Sequence, residues 1–169
     1  MPTRKTSNRS TRSRKPAASQ KDAIALLKKD HEKVRGLLSR LETAAERGTD
    51  RAMQLVTEIE NEVKVHTQIE EEIFYPAFRD AARKKEDKRL FYEANQEHHV
   101  VDLVMPEMEE GGSTEEFAAK AKVLKELIEH HADEEEKEMF PKARKLMARQ
   151  ELRELGQRLE QRKSELQGR

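Results

Sequence analysis

A histidine followed four residues later by a glutamate, and ten residues later by a proline, occurs twice in this chain: His66, Glu70, Pro76 and His131, Glu135, Pro141. Positions i and i+4 share one face of an α-helix. Each copy therefore sets an imidazole nitrogen beside a carboxylate oxygen, a donor pair that suits iron, manganese or zinc. The flanking apolar residues keep the same helical frame, so a fold must bring both faces inside.

The repeat extends further. Residues 30–42 lie over 97–109 without a gap, placing His31 on His98, Val34 on Val101, Leu37 on Val104, Leu38 on Met105 and Leu41 on Met108. Ile59, Val63, His66, Glu70 and Pro76 likewise fall on Leu124, Ile128, His131, Glu135 and Pro141. The chain thus reads as two helical hairpins. Each carries a histidine on its first helix and His-x-x-x-Glu on its second. Packed together they predict an all-α, up-down antiparallel four-helix bundle, whose core is where side chains of facing helices converge on metals.

The first helix is expected to open at a capping box, Ser19–Asp22, and to bury Ile24, Leu27, His31, Val34, Leu37, Leu38 and Leu41. Gly48 closes it, and Thr49 or Asp50 caps the second. The second buries Leu55, Val56, Ile59, Val63, His66, Ile69, Glu70 and Ile73. Pro76 marks its end or a kink, although Ala77 and Phe78 could prolong it. Residues 79–89 read as a solvated connection. The third helix presents Phe91, Ala94, His98, Val101, Val104, Met105 and Met108, with Pro106 kinking its last turns before Gly111 and Gly112. Ser113–Glu116 forms a second capping box, and Phe117, Val123, Leu124, Leu127, Ile128, His131 and Glu135 line the fourth helix. Leu146, Leu152, Leu155, Leu159 and Leu166 give a last helix an apolar stripe for docking on the body or on a partner.

Two histidine doublets require a choice. His131 follows Leu124 and Ile128 on the apolar stripe, whereas His130 is rotated about 100° away. His98 lies in line with Phe91, Ala94 and Val101, whereas His99 neighbours Asn95, Gln96 and Asp102. His98 and His131 therefore face inward. Burying four imidazoles and two carboxylates without compensation costs on the order of several kcal/mol per charged group, and metal coordination supplies that compensation. A ferritin-like site would need Glu-x-x-His, and no histidine here has a glutamate three residues before it.

Composition sets the frame around this core. Charged residues make up 40% of the 169, and the lack of cysteine excludes disulfides, zinc fingers, iron–sulfur clusters and thiol catalysis. The chain is compatible with a reducing cytosol, and a cytoplasmic location is expected. No apolar run is long enough to span a membrane. Residues 1–21 hold seven basic residues and no acid, and residues 1–19 lack Leu, Ile, Val, Phe, Tyr and Trp. That stretch is expected to be a disordered tail able to contact nucleic acid through phosphate charge. The expected organisation is a tail (1–19), the metal-binding bundle (20–147) and a C-terminal amphipathic helix (148–169).

Asp30-His31, His66 to Glu70, Glu97-His98 and His131 to Glu135, with the endings Tyr75-Pro76 and Phe140-Pro141, resemble the HHE cation-binding branch of the hemerythrin family. The resemblance covers roughly residues 22–147. It implies a non-haem di-iron centre bridged by the two glutamates and an oxo or hydroxo group, with His31, His66, Glu70, His98, His131 and Glu135 as ligands. Oxygen-carrying hemerythrins have a second histidine four residues after the one on the third helix, where this chain has Asp102. Asp102 is thus an additional candidate ligand, an orienting partner for His98, or a residue that leaves a metal position open to water, which favours redox reactivity over oxygen storage. The expected function is binding or sensing of oxygen, nitric oxide or iron, in an apolar pocket walled by Leu38, Ile69, Ile73, Val101, Met105, Leu124 and Leu127. Two alternatives remain: a di-iron enzyme reducing peroxide or nitric oxide, and a metal-free helical interaction module with a nucleic-acid-binding tail.

Overall fold

A computed structural model describes residues 22–168 except 49, 109 and 111. The basic tail, Ser19, Thr49 and Gly111, with the roles expected of them, lie outside the described residues. All regular structure among the described residues is helical.

Helix α1 (Ala23–Glu46) is capped by Asp22, whose carboxylate accepts from the Ala25 N–H at 2.9 Å. Asp22 was expected as the last of the four residues of a box begun at Ser19; instead it is itself the cap. Its other oxygen accepts from Arg144 at 2.9 Å, tying the helix start to the end of the bundle. Gly48 adopts φ +58°, the left-handed geometry that ends helices, with the position of a missing Cβ only 3.0 Å from Thr114 Oγ1. Helix α2 (Arg51–Ile69) follows Asp50, which makes no side-chain cap bond.

Pro76 does not end the second helix. A π turn at Glu70–Phe74 precedes it, and the chain continues as α3 (Tyr75–Ala81). Proline lacks an N–H and its ring crowds the carbonyl four residues back. The π turn accommodates both, with the Tyr75 N–H bonding the Glu70 carbonyl five residues back. The second repeat does the same: α5 (Thr114–Glu134) passes through a π turn at Glu135–Met139 into α6 (Phe140–Leu146), and the Phe140 N–H bonds the Glu135 carbonyl. Such turns concentrate at functional sites, and here each begins at the glutamate of a His-x-x-x-Glu pair.

Helix α4 (Lys85–Val104) starts earlier than expected, so the connection shrinks from 79–89 to residues 82–84; Phe78 and Ala82 are buried and hold that segment against the body. At Pro106 the chain tightens into a 3-10 turn, Met105–Met108. Ser113 caps α5, accepting from the Glu116 N–H at 3.2 Å. Val123 is half exposed rather than buried, being one residue, and hence about 100°, off Leu124.

The bundle packs α1 against α2 and α5, and α4 against α5. Helix α7 (Arg149–Leu166) lies across α1, α2 and the first π turn, burying Leu152, Leu155 and Leu159. The core falls into two apolar clusters. One runs through Val34, Leu38, Leu41, Ile59, Val63, Val101, Leu124 and Ile128. The other holds Ile24, Leu27, Ile69, Phe74, Tyr75, Phe78, Phe140 and the α7 leucines. Between them the four helical passes of the bundle contribute polar residues, all buried: Asp30 and His31, His66 and Glu70, His98, and His131 and Glu135. No helix among the described residues is long and apolar enough to cross a membrane.

Candidate metal centre

The buried polar layer is a pair of facing histidine pairs. His31 Nε2 lies 3.1 Å from His66 Nε2, and His98 Nε2 lies 3.0 Å from His131 Nε2. The glutamates stand between the pairs. Glu70 Oε2 is 3.2 Å from His66 and 3.5 Å from His98, while Glu135 Oε2 is 3.2 Å from His31 and 3.8 Å from His131. Two groups of ligand atoms result, each within 4.8 Å: His31, His66, Glu70 and Glu135; and His98, His131 and Glu70.

The outward nitrogens of these rings face acids. His31 Nδ1 meets Glu136 at 3.0 Å, His98 Nδ1 meets Glu71 at 2.8 Å and His131 Nδ1 meets Glu97 at 2.8 Å. His66 Nδ1 faces Asp30 at 3.7 Å, beyond hydrogen-bond reach. A carboxylate at Nδ1 assigns the proton to that nitrogen and leaves Nε2 with its lone pair. Within the His98–His131 pair both lone pairs then point at each other across 3.0 Å. They repel unless a proton or a cation lies between them.

The carboxylates carry the same requirement. Glu70 Oε1 and both oxygens of Glu135 are buried with no hydrogen-bond partner. Burial, with the neighbouring Glu135 charge, pushes the Glu70 carboxyl well above its usual range. Glu135 is held below its usual range although burial opposes this, because the charges of the nearby histidines, His131 foremost, outweigh it. Burial pushes the His66 imidazole down to about 4, so it stays neutral and able to donate its lone pair. Against the same burial, Glu135, Glu70 and Glu136 raise His31, and Glu135 and Glu97 raise His131. Imidazoles whose Nε2 atoms converge, beside glutamate oxygens lacking partners, fit a cation.

The structure thus brings together all six of His31, His66, Glu70, His98, His131 and Glu135. It does not bring in Asp102, which is exposed and belongs to neither group. The buried line of α4 runs through His98, Val101 and Met105, and Asp102 is rotated off it. His99 and His130 are exposed, as the periodicity required. His130 sits outside the centre with Glu97 and Glu134, its Nε2 at 3.6 and 3.3 Å from them.

Sequence reasoning missed the orienting acids and one phenol. Each acid is adjacent in sequence to a histidine or glutamate of the centre: Asp30 before His31, Glu97 before His98, Glu71 after Glu70, Glu136 after Glu135. Their repetition in both hairpins was the available signal. Tyr75 is wholly buried, with its hydroxyl 3.1 Å from His98 Nε2 and 3.5 Å from Glu70 Oε2. Burial and the nearby glutamates raise it well above the usual phenol value, so it keeps its proton.

A cavity of about 30 Å³ adjoins the rings, walled by Val34, Val63, Val101, Ile128, Ala132 and the four histidines, with Arg35 and Thr67 at its edge. Of the walls expected from sequence only Val101 serves; the others pack in the two clusters on either side. A much larger hollow, about 710 Å³, lies between α3, α6 and α7, but it is an open surface groove and contains no residue of the centre.

The profile of the Hemerythrin HHE cation binding domain matches residues 22–143. The chain belongs to this family. Helix α7 lies beyond the matched segment. A solved structure, of a hemerythrin HHE cation binding domain-containing protein from Mycobacterium kansasii, is 27% identical, superposes with a TM-score of 0.75 and is covered over 88% of each chain. No match was found among curated proteins. This HHE domain thus carries two buried groups of histidine and glutamate that could hold a metal ion.

Proposed function

We propose that this HHE protein holds two iron ions, one between His31 and His66 and one between His98 and His131, with Glu70 and Glu135 in common, and that it binds or senses a small molecule there. The observation that carries this reading is the position of the two glutamates. Each lies within 3.8 Å of one histidine from both pairs and has at least one carboxylate oxygen without a hydrogen-bond partner. Imidazole and carboxylate suit iron, manganese and zinc alike; iron is what the family likeness favours. Bound iron supplies a Lewis-acidic, redox-active position.

The cavity supports a ligand of one or two heavy atoms, such as oxygen or nitric oxide. One water needs about 10–15 Å³ on such a measure, so about 30 Å³ admits a diatomic molecule or peroxide. Organic substrates occupy sites roughly ten times larger or more. Aerobic reconstitution followed by metal analysis and absorption spectroscopy, with and without oxygen, tests the proposal. About two irons per chain and an oxygen-sensitive visible band are expected. No retained metal would overturn it.

A second reading, reduction of peroxide or nitric oxide, is favoured by Tyr75. Its protonated hydroxyl points at the group with fewer protein donors and can hydrogen-bond a small oxidant held there. Peroxide turnover that falls in Tyr75→Phe at unchanged metal content supports this reading; equal turnover in both proteins refutes it.

A further inference from the structure

The four orienting acids follow the internal repeat, and one of them breaks it. Glu71 and Glu136 occupy equivalent places, and both bond a histidine within 3.0 Å. Asp30 is the equivalent of Glu97, which bonds His131 at 2.8 Å, yet Asp30 Oδ2 stops 3.7 Å from His66 Nδ1. Both of these atoms are buried, and neither has a hydrogen-bond partner. The other oxygen of Asp30 is taken by Lys163 of α7 at 2.5 Å. The neighbouring Arg162 grips Glu72 at 2.7 Å on the first π turn, and Glu72 orients no histidine.

We infer that Lys163 is a positioning residue that holds Asp30 back from His66, so that this one contact from the C-terminal helix sets the donor strength of one histidine of the centre. The inference rests on the reading of His66 as a cation ligand. It assigns α7 a role that its leucines do not explain. Leu152, Leu155 and Leu159 bury the helix face and Arg162 bonds the first π turn; Lys163 in addition reaches a carboxylate inside the polar layer. Freed from Lys163, Asp30 would close on Nδ1 and fix the proton there, as its three counterparts do. The Nε2 lone pair would then be a stronger donor, since orienting acids of this kind alter metal affinity by about 10–100-fold.

The test uses the full chain and two readouts. In the metal-free protein, the imidazole nitrogen shifts of His66 are measured by NMR at one fixed pH in wild type, Lys163→Met, Lys163→Arg, Arg162→Met and Asp30→Glu. The longer acid of Asp30→Glu reports the shift of a closed contact. Lys163→Met is expected to move His66 toward that value, and Lys163→Arg and Arg162→Met to stay with wild type. In cobalt-loaded protein, Lys163→Met should bind about tenfold more tightly, with an altered visible spectrum, and Arg162→Met should not. An unchanged His66 in Lys163→Met would overturn the inference and leave the gap to the shorter side chain alone. Equal effects of Lys163→Met and Arg162→Met would also overturn it, by reducing both to helix docking. Because the NMR readout needs no metal, failure of the metal proposal would show separately as absent cobalt binding.

Discussion

The two histidine pairs share a plan and differ in what stands behind them. His31 and His66 face acids that are themselves held by cations: Glu136 by Arg35 and Lys28, and Asp30 by Lys163. His98 and His131 face Glu71 and Glu97, whose close partners are the histidines themselves. The first pair also has two glutamates within its ligand group, the second one glutamate and a phenol alongside. The acids behind one half of the centre are thus charge-compensated by lysine and arginine, and those behind the other are not. On the reading proposed above, the first pair would retain a cation and the second would meet a small ligand.

The strongest way to break that division is to remove what the halves share. Glu70→Leu is expected to abolish binding of both metals, measured as metal per chain. In the metal-free protein the same change should raise stability by about 1–3 kcal/mol in denaturant unfolding, because a buried carboxyl with an unpartnered oxygen is replaced by an apolar group. A metal-free variant less stable than wild type would show that Glu70 is structurally satisfied. His66→Ala and His131→Ala come next. Each should lose at least one metal, and full metal content in both would end the ligand assignment.

Acidification should release the metals, because protons compete for the same nitrogens. His31 and His131 are raised above the usual imidazole value by their glutamate neighbours, so competition begins on the alkaline side of an ordinary histidine and apparent affinity falls continuously toward acid. Affinity titrations at several pH values would reveal a flat profile if imidazoles were not ligands. Removing one orienting acid has a smaller effect. Glu71→Gln and Glu136→Gln should each weaken binding by about 10–100-fold. Loss of Glu71 should also change the small-molecule response, and loss of Glu136 should not. Smallest is Tyr75→Phe, expected to leave metal content intact and to alter only the spectrum or turnover with small ligands.

Much of this architecture was legible in the residues themselves. His-x-x-x-Glu in a helical frame, repeated with Pro76 and Pro141 in register, determined four helices and six inward donors. The choice of His98 over His99 and His131 over His130 followed from 100° of helical rotation. What periodicity could not reveal was local. Pro76 and Pro141 were compatible with an end, a kink or a continuation, and only the π turns at Glu70 and Glu135 decide among them. Asp102 is one turn from His98 in sequence, but the stripe through Val101 and Met105 leaves it outside. The orienting acids merged into runs such as Glu70–Glu72 and Glu134–Glu136, where composition alone gives no means of telling a solvated glutamate from a buried one. The reach of Lys163 depends on how α7 crosses the bundle, a long-range fact that no local pattern carries.

X-ray absorption at the iron edge of the reconstituted protein tests the central claim most directly, because it reports the neighbours of each metal. Two cations sharing Glu70 and Glu135 predict nitrogen and oxygen neighbours and a second iron at about 3.5–4 Å or closer. Isolated iron with no metal neighbour, at one ion per chain or fewer, would contradict it.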